Sequence, residues 1–171
     1  HHPREIIHGG LPPRKRGNYR MRNLAVIFAM FFSITLLTTS PAHTGEMPRF
    51  KTKAPFLQTE KDLTAAIRKN KMGLVSKASA THGAAAIGVK IKGNRVFGVY
   101  HPRFAVRMLQ ASIPAGIEAP IRIYLYENTD GTATITYKKP SDVFRPYGSA
   151  DLDKMAAELD VIFAKIVQDA R

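Results

Sequence analysis

The sequence IRIYLYENTDGTATITY, residues 121–137, decides the fold. Ile121, Ile123 and Leu125 alternate with Arg122, Tyr124 and Tyr126, and beyond a polar turn Ala133, Ile135 and Tyr137 alternate with threonines. Successive side chains of a strand point to opposite faces, so this period of two collects the apolar residues on one side. Asn128 to Gly131 supplies residue types that tolerate a tight turn. The stretch therefore predicts an antiparallel hairpin with one buried face.

Toward the C-terminus the period becomes helical. Ser149 stands as an N-cap and Asp151 and Asp153 fall in the first turn, where the helix dipole favours acids. Leu152, Met155, Ala156, Leu159, Ile162, Phe163, Ile166 and Val167 then form one stripe that must pack lengthwise on the sheet. Upstream, Pro102 suits a first helical turn, and Ala105, Met108, Leu109 and Ser112 are expected to share one face until Pro114 and Gly116 end that helix. Val96 to Tyr100 reads as a strand and Leu74 to Ser76 as a short one. The segment THGAAAIG, 81–88, fits either a loop or a short helical turn.

Before these, Thr59 with Asp62 resembles a helix start, Leu63, Ala66 and Ile67 continue it to Lys71, and Gly73 stops it. Phe50 to Phe56 is a candidate first strand, which Pro55 confines to an edge or an end. The order β-α-β-β-α-β-β-α predicts an α+β domain over residues 50–171, an antiparallel or mixed sheet with its helices on one side.

The N-terminal residues carry a different signal. Met21-Arg22-Asn23 precedes LAVIFAMFFSITLL, fourteen residues without a charge, and Ser40-Pro41-Ala42 offers small residues at a cleavage site. Residues 21–42 are therefore expected to be a signal peptide cut after Ala42, leaving a linker at 43–49 and no stable membrane anchor; a spanning helix needs about 20 apolar residues. Residues 1–20, rich in Pro, Gly and Arg, read as an upstream or non-native leader. Export to the periplasm is the resulting expectation.

The chain has 26 basic and 13 acidic residues, a formal charge of +13. Six of the basic residues and one acid lie in residues 1–42, so the remainder carries +8, still basic but without a long run of cations. Dispersed lysines read as a solvated surface, and nucleic acid is not an expected partner. The absence of cysteine excludes disulfides and thiolate catalysis.

His82 and His101 are the candidate reactive groups. Among Gly83 and three alanines, His82 can serve as a general base or as a turn cap. His101, before Pro102, can receive an anion with Arg103 or simply cap a helix. Neither sits in a recognisable set: no G-x-S-x-G surrounds a serine, no third ligand completes a metal site, and no phosphate-binding glycine loop is present, so no cofactor or metal is expected. Tyr124 and Tyr137 on the hairpin, with Arg122 and Arg145 near in sequence, provide a surface for an aromatic or anionic ligand or a second subunit.

Taken together, THGAAAIG, the strand ending Gly98-Val99-Tyr100-His101-Pro102, the Pro114 to Pro120 connection, IRIYLYE, Asp130-Gly131 and Thr136-Tyr137 resemble the domain of unknown function 302 family across about residues 50–168. His82, Pro102, Pro120, Gly131 and Tyr137 fit its pattern, whereas Thr81 replaces a usual aspartate, Tyr100-His101 a glycine-asparagine pair and Ala119 a leucine. The resemblance implies a curved sheet with a long helix along it, a single copy of the fold of the TATA-box-binding protein, and often a dimer. With this frame, the leading expectation is a non-enzymatic protein that binds a small ligand or an envelope protein through His82, His101, Tyr124 and Tyr137. The alternatives are a small hydrolase-like enzyme using His82 as base and a structural homodimerisation module.

Overall fold

A computed structural model describes residues 46–171; the leader at 1–20 and the signal segment at 21–42 lie outside the described residues. Five strands form one antiparallel sheet: β1 (Arg49–Pro55), β2 (Gly73–Ala78), β3 (Asn94–Tyr100), β4 (Ile121–Glu127) and β5 (Thr132–Tyr137). Their spatial order is β1-β5-β4-β3-β2, so the hairpin supplies the centre and the two earliest strands supply the edges. Pro55 ends the edge strand β1, a place where its missing N–H interrupts no ladder. Gly131, at φ +81, occupies the left-handed position of the β4–β5 turn.

The helices are α1 (Phe56–Lys69), α2 (Ala80–Ala86), α3 (Pro102–Ala111), α4 (Pro140–Phe144) and α5 (Ala150–Ala170). The stripe of α5 is buried almost as its spacing demands, with Ser149 Oγ accepting from the Leu152 N–H. It meets Leu63 and Ile67 of α1 and the apolar sheet face of Phe97, Ile123, Leu125 and Ile135 in a single core. The result is an α+β domain with its helices packed on one side of an open sheet.

Two local expectations change, and a third that was open is decided. The first helix begins at Phe56, one turn before Thr59, and Thr59 is buried within it, 3.0 Å from the Thr52 hydroxyl. Its start is set by tertiary packing of Phe56 against Gly93 and Arg95, a cue that the local N-cap pattern lacks. In α3 the inward pair is Phe104 and Met108, four residues apart, and Leu109 faces outward. In the 81–88 segment the chain is helical as far as Ala86, because Ser79 Oγ caps α2 through the Thr81 N–H and the Asn94 side chain accepts from the Ala80 N–H, and Ile87 and Gly88 form a turn.

A polar cluster ties the helical layer to one sheet edge. Glu60 of α1 accepts from Lys77 of β2 at 2.8 Å and from Arg95 of β3 at 3.0 Å. Arg95 also donates to Ser79 Oγ and stacks over Phe56. Burial by itself would raise the Glu60 carboxyl, but the two cationic donors outweigh it and hold its pKa below the ordinary value of 4.5.

Candidate functional site

The helix-free face of the sheet is built from the residues that alternate with the core. Tyr124 lies opposite Thr136 on one side and Val96 on the other, and Tyr126 lies opposite Thr134 and Asn94. The two tyrosine rings are 5.5 Å apart, so they form one aromatic surface. At the end of the hairpin remote from its turn, the chain leaves β5 through Lys138 and Lys139 and folds back as α4. This return borders an open cavity of about 860 Å³ against Tyr124 and Thr136, a size suited to a small ligand.

Charge in the cavity is one-sided. Its two acids are already engaged: Glu118 accepts from the Tyr147 hydroxyl at 2.9 Å, and Asp142 pairs with Arg145. The first contact, more than burial, raises the Tyr147 phenol, because its proton is held by a carboxylate. Arg122, Lys138 and Lys139 also border the cavity, and none has a carboxylate partner among the described residues. The uncompensated charge is therefore positive.

Thr136 adds a second unsatisfied group. It is 5% exposed, it borders the cavity, and its Oγ1 is buried without a hydrogen-bond partner among the described residues. Buried hydroxyls are normally paired, so this atom keeps unused hydrogen-bonding capacity just beneath the cavity wall. Val143 and Pro146 supply apolar lining beside it.

The four residues singled out in the sequence separate. Tyr124 and Tyr137 border the cavity; Tyr124 is 39% exposed, whereas Tyr137 is a core residue whose ring packs on Phe50 and Phe163. Burial, followed by the nearby Asp160 charge, raises the Tyr137 phenol. His101 caps α3, its Nδ1 accepting from the Arg103 N–H at 3.1 Å, and borders a small apolar cleft beside Phe104 and Met108.

His82 is exposed on α2 and makes no side-chain hydrogen bond among the described residues. The two histidines stand near opposite ends of β3, whose seven residues span about 20 Å at the usual strand rise. Among the described residues no group of three His, Cys, Asp or Glu could hold a metal.

Thr136, Lys138, Lys139 and Val143 were not among the expected site residues. The period of two does place Thr136 on the tyrosine face, but nothing local marks its hydroxyl as unpaired. The lysines and Val143 join the site only because α4 turns back against α5, a contact between residues distant in the chain.

Comparison with known proteins finds the domain of unknown function DUF302 over residues 49–170. A crystal structure of an uncharacterized conserved protein DUF302 from Bacillus stearothermophilus is similar, with a TM-score of 0.67 and 19% sequence identity, covering 73% of this chain and 98% of that one. At that identity the likeness is one of fold. No curated protein matches the chain.

Proposed function

The chain belongs to the DUF302 family, and from that premise, which carries no activity, we propose that it is a non-enzymatic binding protein for a small anionic ligand with an aromatic or apolar body. One observation carries this reading: a cavity bordered by Arg122, Lys138 and Lys139, which have no carboxylate partner among the described residues, also has the Thr136 hydroxyl, unpaired among those residues, in its wall beside Tyr124. An anion satisfies the cations, the hydroxyl gains a partner, and a ring or alkyl group rests on Tyr124 and Val143. The general-base reading of His82 draws no support from its surroundings, since among the described residues no carboxylate or serine hydroxyl bonds to it. Removal of residues 21–42 as a signal peptide, checked by N-terminal sequencing of the mature chain, would make the ligand one met in the periplasm.

Phenyl phosphate, benzoate and uncharged benzyl alcohol are suitable probes, read by thermal shift and titration calorimetry. The two anions are expected to stabilise the protein and the alcohol is not. Arg122→Gln and Lys138→Gln should each weaken phenyl phosphate about fivefold, the effect of one partly exposed charge contact. Equal stabilisation by benzyl alcohol, or none by either anion, would overturn the reading.

A further inference from the structure

At the other end of the sheet, α2 and the chain after it display apolar side chains without packing them. None of the seven residues of α2 is buried. Beyond it Ile87, Val89 and Ile91 are 78%, 48% and 37% exposed, and Leu57, next to the Phe56 ring on which Gly93 lies, is 64% exposed. The segment is nevertheless fixed in place by polar bonds. Ser79 caps the helix, Asn94 accepts from the Ala80 N–H, the Val89 N–H donates to the Ala84 carbonyl, and the Gly93 N–H donates to Glu127. Isolated exposed aliphatics are ordinary on a protein surface, but three within five residues of a tethered loop form a patch.

Charge identifies what fits it. Lys90 and Lys92 interleave with Val89 and Ile91, and residues 80–93 contain no acid. Lys92 reaches only the Asn128 carbonyl, and neither lysine has a carboxylate partner among the described residues. The nearest turn offers no free acid either, because Glu127 holds Gly93 and Asp130 is paired with Lys51. A two-fold contact between copies would set these lysines against themselves.

We propose that the Ile87–Lys92 loop docks on an anionic phospholipid surface, its aliphatic side chains entering the headgroup boundary and its lysines meeting lipid phosphates. Among the described residues no helix is long and apolar enough to cross a membrane, so this is contact with a surface. It is independent of the ligand cavity, which lies at the opposite end of the hairpin.

The chain has no tryptophan, so one introduced residue reports its own position. Val89→Trp in the full chain is compared with Ile117→Trp, at a site 82% exposed in the turn before β4, which controls for any vesicle contact made by other segments. The expected result is a blue-shifted emission for Val89→Trp, quenched by brominated acyl chains, with vesicles of phosphatidylglycerol and phosphatidylcholine. Phosphatidylcholine alone should give neither change, and Ile117→Trp should stay unshifted. Lys90→Gln with Lys92→Gln should weaken partition of Val89→Trp about thirtyfold. The inference is overturned by equal response to neutral vesicles, by equal response at Ile117→Trp, by no loss in the lysine variant, or by no response. A shift that grows with protein concentration without vesicles would also overturn it, identifying a second copy as the occupant.

Discussion

The two faces of the β4–β5 hairpin are made by neighbouring residues of the same strands, yet they are different materials. On the helix side Ile123, Leu125 and Ile135 are wholly buried in a core of aliphatic and aromatic groups. One residue along, the other face carries Tyr124, 39% exposed, and, among the described residues, cations without a carboxylate partner and a threonine hydroxyl without a hydrogen-bond partner. A surface whose groups are all satisfied contributes stability. One that leaves polar groups unsatisfied forgoes some of it and keeps those groups for an incoming ligand. Substitutions on the two faces should accordingly separate folding from binding.

The largest effect should come from the covered face. Ile123→Ala removes three carbons from a site with no exposure, and a cavity there costs about 2–5 kcal/mol, read as a lower urea midpoint at unchanged slope. The fraction still folded should bind phenyl phosphate as the parent does, because Ile123 does not border the cavity. A cost below about 1 kcal/mol would mean that this face is less tightly packed than its burial implies.

Glu60 comes next. Glu60→Gln keeps the shape but removes the charge that holds Lys77 and Arg95, at a cost of about 2 kcal/mol near neutral pH for two charge-assisted hydrogen bonds. Because the folded carboxyl titrates below its ordinary 4.5, its contribution is complete above that value and is lost as pH falls through the folded pKa. The stability gap between parent and variant should therefore narrow in acid below about pH 4.5 and stay constant above it. A gap independent of pH would assign the loss to packing instead of charge.

Much of this division was legible in sequence, and the reason is locality. The alternation in residues 121–137 and the stripe from Leu152 to Val167 each lie within one element, so the burial of Ile123 or Phe163 follows from the chain's own period. What depended on distant partners was not legible. Thr59 has the composition of a cap but lies inside α1, since Phe56 is recruited by Gly93 and Arg95, more than thirty residues away. Leu109 matched a helical spacing but loses the inward position to Phe104, as the choice of face is made by the sheet and α5. At the cavity, Tyr124 could be found from its strand alone, whereas Lys138, Lys139 and Val143 required the return of α4. His82 drew attention through its chemistry, but it is exposed and makes no side-chain hydrogen bond among the described residues.

The smallest and sharpest test uses two threonines that share a residue type and a degree of burial but not a face. Thr52, 3% exposed on the helix side, sits 3.0 Å from Thr59 Oγ1 and 3.1 Å from the Ala133 carbonyl, so Thr52→Val leaves buried polar atoms unpaired and should cost about 1–2 kcal/mol. Thr136, 5% exposed on the other side, has no hydrogen-bond partner among the described residues to lose. Thr136→Val replaces an unsatisfied hydroxyl with a methyl of similar size and should be neutral, or stabilising by up to about 1 kcal/mol. Its affinity for phenyl phosphate should nevertheless fall about fivefold, the worth of one hydrogen bond. Opposite signs for folding and binding at one atom are what a hydroxyl reserved for a ligand predicts. If Thr136→Val lowers stability as Thr52→Val does, its hydroxyl is a structural partner and the two faces differ only in exposure.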